Sequence, residues 1–241
     1  MSPNYLPAVD DVLSVIRNLG QQNAPLELTR SFKGMVLRQN VSILEVSLDD
    51  VAFRTTNCEV IAALEGDVYL HSQLFPKPVM AKIKSLDLRK GLLVLCDFSY
   101  LDKEWNKRQH ERVQPKHPVY VTLHWKGKAI RESMENISVN GMGIFAYKIF
   151  ERGMRFQPGS NVKLDFQLSP DYQYTGLKGT IIHINSIGKH FSSIGIRLFP
   201  TAKESRLLEK YIAPRKQEIL EELRQLFWEL LQPRRVESLY F

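Results

Sequence analysis

Arg108 and Arg112 stand four residues apart in the run Lys107-Arg108-Gln109-His110-Glu111-Arg112. Whether that run is a helical turn or extended, positions i and i+4 fall on the same side. Two guanidinium forks on one side can each grip a phosphate or a purine edge in bidentate fashion. They can also stack flat on a base, which lysine does poorly. Further along stands Asn136-Ile137-Ser138-Val139-Asn140-Gly141. On a strand, Asn136 and Ser138 share one face and offer short polar groups to a sugar, a phosphate or a base edge. Asn140-Gly141 reads as a positive-φ turn that ends the strand and lets a ligand approach the backbone closely. Taken singly, the first piece also fits a solvated basic linker and the second an ordinary hairpin turn.

Other chemistries find little support. There is no Gly-x-Ser-x-Gly elbow, P-loop or strand-linked dinucleotide fingerprint. The six histidines include no His-x-x-x-His pair that would place two ligands on one helix face. These patterns predict a protein that is not an enzyme and has no cofactor or metal. Cys58 and Cys96 lack metal-type spacing and read as reduced thiols. No apolar run is long enough to span a bilayer, and the first twenty residues lack a basic n-region. The expectation is a cytoplasmic protein without membrane insertion.

The 241 residues carry a net charge of +7, which suggests an anionic partner. The charge is uneven: from Leu101 to Arg131 eight basic residues face three acidic ones.

The length allows one large domain or two ordinary ones. Val9, Val12, Leu13 and Ile16 predict an amphipathic helix over 8–19, with Gly20 as its stop. Six strand-sized pieces follow: LELTRSFKGMVL, VSILEV, VAFRT, GDVYLHSQLF, VMAKIKSLDL and GLLVLCDF. The polar segment SYLDKEWNKRQHERVQPKHP ends in two prolines and reads as a mobile linker. Strand texture resumes at VYVTLHW, turns at Lys126-Gly127-Lys128, and continues to FSSIGIRLF. A closing helix over 202–213 and, past Pro214, a longer helix finish the pattern. Ile219, Leu223, Leu226 and Leu230 give that last helix an apolar stripe, expected to pack on the β-domain before it. The fold class is all-β with flanking helices: two small antiparallel barrels joined by a linker. The boundaries are 1–100, a basic linker over 101–115, a second barrel with its closing helix over 116–213, and a helix and tail over 214–241.

In this order, Arg-x-x-x-Arg ahead of a barrel and Asn-x-Ser-x-x-Gly at its second strand resemble the PilZ domain, over Lys107 to Ala213. The preceding β unit makes the chain similar to the two-domain, flagellar-brake type. The resemblance implies a receptor for cyclic di-GMP. It makes Arg108 and Arg112 the grips on phosphate and guanine, and Asn136, Ser138 and Gly141 the strand-side contacts. Asn136 stands where Asp is commoner, which keeps an acceptor but loses the acidic reading of a guanine N–H edge. Lys107 bears on whether one copy or two stacked copies bind, which is left open. The implied output is regulation of a protein partner, a flagellar motor component among the candidates, by a monomer or homodimer. The alternative is a nucleic-acid-binding module using the basic linker, with Trp105, Tyr120 and Trp125 as stacking residues. No helix-turn-helix or RNA-binding aromatic signature supports it.

Overall fold

A computed structural model describes residues 9–64, 66–102, 110–147 and 156–232. They fall into two compact units, one within Met1–Phe32, Val36–Lys107 and Leu220–Phe241, the other within Lys33–Met35 and Arg108–Ile219. Each unit holds one closed, six-stranded antiparallel barrel.

In the first unit, α1 (Val9–Gln21) buries Val12, Leu13, Ile16 and Leu19 along one face. The helix does not stop at Gly20. Its exit is a Schellman cap with Asn23 left-handed at φ 50°, Ala24 N–H on Leu19 O at 3.0 Å and Asn23 N–H on Gly20 O at 3.3 Å. Gly20 serves close packing instead, since a Cβ there would lie 3.4 Å from Ile43 Cγ2.

The strands are β1 (Leu26–Phe32), β2 (Met35–Val46), β3 (Val51–Arg54), β4 (Asp67–His71), β5 (Val79–Asp87) and β6 (Leu92–Tyr100). They close in the order β1-β2-β3-β6-β5-β4, with the short α2 (Cys58–Ala62) between β3 and β4. The expected pieces divide differently: LELTRSFKGMVL breaks at Lys33-Gly34, and VSILEV is the end of β2. Lys33 and Gly34 both take positive φ, 46° and 85°, as a two-residue hairpin turn requires.

The second barrel comprises β7 (Tyr120–Trp125), β8 (Lys128–Ser138), β9 (Gly141–Tyr147), β10 (Asn161–Ser169), β11 (Tyr172–Ile187) and β12 (Phe191–Leu198). Their order is β10-β11-β12-β9-β8-β7. Lys126 and Gly127, at φ 48° and 75°, form the predicted turn between β7 and β8.

The closing helix α3 (Ala202–Leu231) is a single element of 30 residues, not two helices separated at Pro214. Thr201 and Glu204 open it as a capping box: Glu204 Oε2 accepts from Thr201 N–H at 2.7 Å, and Thr201 Oγ1 from Glu204 N–H at 3.3 Å. Pro214 is exposed, so the carbonyl it leaves without an N–H can meet water. Leu208, Ile212, Arg215 and Ile219 meanwhile form one continuous buried face across it. The later stripe is not seated on the second barrel as expected. Leu223 packs with Leu37, Val60 and Ala63 of the first unit, and Leu230 is exposed.

Candidate ligand-binding site

Along β8, Ile130, Glu132 and Met134 alternate into the barrel interior. The register on β9 then slips: Met134 stands opposite Ile144, but Asn136 opposite Gly143. Glu135 is the extra residue of a β-bulge, and a one-residue insertion reverses which face every later side chain occupies. Ile137 therefore enters the core, while Asn136 and Ser138 turn to the outer face opposite Gly143 and Gly141. They are nonetheless only 7% and 1% exposed. Val113 forms a bridge beside Ile137, with both N–H···O bonds at 2.9 Å, and carries its segment over them.

That bridge places Arg112 at the site. One guanidinium nitrogen, Nη1, donates to Asn136 Oδ1 at 3.2 Å. The other, Nη2, lies 3.2 Å from where a Gly141 side chain would begin. Gly141 thus leaves room for the close approach of the arginine. It is a β9 residue paired with Ser138, and neither it nor Asn140 has positive φ, which corrects the expected Asn140-Gly141 turn. Ser138 Oγ donates to Gly141 O at 3.1 Å. Arg112, Asn136, Ser138 and Gly141 are brought together; Lys107 and Arg108 lie outside the described residues.

A cleft of about 180 Å³ opens here, lined by Arg112, Ser138, Asn140 and Gly141 together with His110, His183 and Arg197. The last three escaped sequence reasoning. Arg197 stands directly opposite Gly141 on β12, so it shares the outer face. The His183 ring lies flat over Gly195, and the Asn136 amide 2.9 Å from where a Gly143 Cβ would sit. The alternate glycines of Gly141-Met142-Gly143, with Gly195, were the available signal of a floor on which polar side chains lie down.

The segment bearing Arg112 is anchored, not the mobile linker expected from composition. Arg215 of α3, 4% exposed, donates from Nε to Gln114 O at 2.9 Å and from Nη1 to Glu218 Oε2 at 3.0 Å. Lys216 pairs with Glu111, and Lys116 with Glu218 at 3.5 Å. A guanidinium on the helix and a bridge on β8 hold residues 111–116 from two sides.

Fold and cleft define a class: a closed β-barrel with a cationic, polar cleft on its outer face, roofed by its own entry segment. Residues 106–213 match the family model of the PilZ domain. A relative from Aquifex aeolicus, an uncharacterized protein, is 29% identical over 162 residues, 65% of this chain and 72% of its own. Among solved structures, a complex of MrkH from K. pneumonia with c-di-GMP is 12% identical at TM-score 0.46, covering 90% of this chain and 97% of that one. A complex of Escherichia coli YcgR with c-di-GMP is 16% identical at TM-score 0.46, covering 89% and 93%. Bacillus subtilis MotI, described as an inhibitor of motility, is 15% identical at TM-score 0.42, covering 81% and 96%. Among the described residues no helix is long and apolar enough to cross a membrane, and no group of three His, Cys, Asp or Glu could hold a metal ion.

Proposed function

We propose that the protein is a non-catalytic receptor for cyclic di-GMP, bound at the Arg112 cleft. The observation that carries this is the hydrogen bond from Arg112 to Asn136 across the glycine floor, within a PilZ domain. Cyclic di-GMP presents two phosphodiester charges, and guanines whose N7 and O6 suit an arginine fork. Arg112 exchanges the Asn136 amide for a phosphate or guanine, Ser138 and the Gly141 backbone meet the ligand from the strand, and Arg197 adds charge from β12. Arg108 supplies the second fork and Lys107 a further charge, with one or two ligand copies held. Binding shifts the arrangement of the two barrels only by its differential affinity for the alternatives. The output is a changed surface for a protein partner, a flagellar motor component being the candidate that the resemblance to the two-domain type implies.

Isothermal titration of the full chain with cyclic di-GMP tests the reading. Hydrogen bonds to charged groups contribute about 1.5–3 kcal/mol each, so Arg112→Ala and Arg108→Ala should each weaken binding at least about tenfold. Absence of heat from the unaltered protein, or binding by both variants as tight as that of the unaltered protein, overturns it.

A further inference from the structure

A second cleft, about 860 Å³, lies on the outer face of β7, β10 and β11 and shares no lining residue with the one beside Arg112. Its size falls in the range of small-molecule sites, about 300–1,000 Å³. Strand register explains what it offers. His124 stands directly opposite Lys163, and Lys163 directly opposite Lys178. Residues paired this way share a face, so one imidazole and two ammonium groups form a single rung across three strands. Phe199, whose N–H bonds Lys178 O at 2.9 Å, closes the rung with a ring 53% exposed. Lys126 stands at the rim, 4.8 Å over the Trp125 ring.

Like charges directly opposite on neighbouring strands destabilise a sheet. Here the repulsion is not relieved from within: among the described residues neither Lys163 nor Lys178 has an ion-pair partner. The one carboxylate in the cleft, Asp165, is already committed. Its Oδ1 accepts Gly176 N–H at 2.6 Å, and its Oδ2 meets His124 Nε2 at 2.7 Å. That pair holds the imidazole in orientation and leaves both lysines uncompensated.

We propose that this cleft binds a phosphomonoester joined to a flat apolar group, as in a nucleoside monophosphate. A dianionic phosphate matches two lysine charges, and its tetrahedral oxygens can meet the ammonium groups of both strands at once, whereas a carboxylate presents two oxygens in one plane. Lysine binds phosphate as a point charge, without needing the planar fork of arginine. The exposed Phe199 ring covers the apolar group. The site stands on its own residues and does not depend on the cyclic di-GMP reading.

Titration of the full-chain protein with AMP, with adenosine and inorganic phosphate as controls, tests the proposal by calorimetry and by amide NMR shifts. AMP is expected to bind with shifts at 124, 163, 176 and 178, and adenosine at least about tenfold more weakly, since that control lacks the charge-assisted bonds. Lys163→Gln with Lys178→Gln should weaken AMP at least about tenfold, while Arg112→Ala leaves it within about twofold. Phe199→Ala should bring AMP down to the affinity of inorganic phosphate. The double glutamine variant removes a like-charge pair from an exposed surface, so in phosphate-free buffer its Tm should equal or exceed that of the parent. No AMP binding up to roughly 10 mM, undiminished binding by the double glutamine variant, or loss of binding in Arg112→Ala overturns the proposal. Failure of the cyclic di-GMP titration alone leaves these outcomes untouched.

Discussion

The Arg112 guanidinium rests on a neutral amide, Asn136 Oδ1 at 3.2 Å. A carboxylate at that position would make an ion pair that a phosphate had to break; the amide makes a weaker competitor. The arrangement depends on having no side chain at Gly143, because a Cβ there would press on the Asn136 amide at 2.9 Å. Gly143→Ala should therefore displace Asn136 from the floor into the space the ligand needs and leave Arg112 without its orienting partner, weakening cyclic di-GMP roughly tenfold on calorimetry. Elsewhere in the barrel the Tyr174 hydroxyl is buried, with no hydrogen-bond partner among the described residues, and burial pushes its pKa up. An unsatisfied buried hydroxyl costs stability, so Tyr174→Phe should leave Tm unchanged or raise it, with its ring stack on Phe166 retained. Arg112, Asn136 and Ser138 were legible in the sequence because their side chains carry chemistry. Gly143 and Gly195 stood in the sequence as a signal without an assignment, since what they contribute is missing volume, and its use appears once Asn136 and His183 lie across them.

At the scale of elements, the barrel strands were legible from β-branched runs and turn residues, but their faces were not. No glycine or proline marks the bulge at Glu135; the slip that turns Asn136 and Ser138 outward exists only in the pairing with β9. Two residues of one parity were rightly expected on one face, yet which face depended on that pairing. Pro214 misled in the other direction: a local breaker was overridden by a buried face running through it. The most consequential residue of α3, Arg215, looked like one more surface cation. Its guanidinium instead roofs the site by holding Gln114 O at 2.9 Å. Arg215→Met keeps the apolar stem but orphans that carbonyl. It should lower stability by about 1–3 kcal/mol in chemical denaturation and weaken cyclic di-GMP along with it, although Arg215 is not a lining residue of the cleft. On the opposite strands, the Gly176 N–H bond, aided by His124, holds the Asp165 carboxyl below its ordinary pKa. A depressed folded-state pKa means stability fully present above the unfolded value, about 4, and lost as pH falls through the folded value. Asp165→Asn should lower Tm at neutral pH and flatten the fall in Tm below about pH 4.

For the molecule as a whole, the net charge of +7 invites a nucleic-acid reading, and the placement of the charges argues against it. Of the basic residues clustered between Leu101 and Arg131, Lys103, Lys107 and Arg108 lie outside the described residues. Arg112 holds Asn136, Lys116 pairs with Glu218, Lys126 lies over Trp125, and Arg131 lies over the Tyr120 ring at 4.9 Å. Among the described residues, the candidate stacking rings Tyr120 and Trp125 thus each carry one of the cations that would track the backbone, and Trp125 also packs on Phe156 at 5.4 Å. Duplex binding draws its affinity from many phosphates neutralised in a row and falls steeply with salt, whereas a compact dianion in a half-buried cleft is screened much less. The full chain should therefore leave duplex DNA unshifted in a gel at about 0.15 M salt without nucleotide. Its affinity for cyclic di-GMP should fall by less than about tenfold between roughly 0.05 and 0.5 M salt. A nucleotide-independent, steeply salt-dependent gel shift would instead show that the engaged cations release their aromatic partners to follow a phosphate backbone. The basic segment would then be the functional surface, and the cleft beside Arg112 secondary to it.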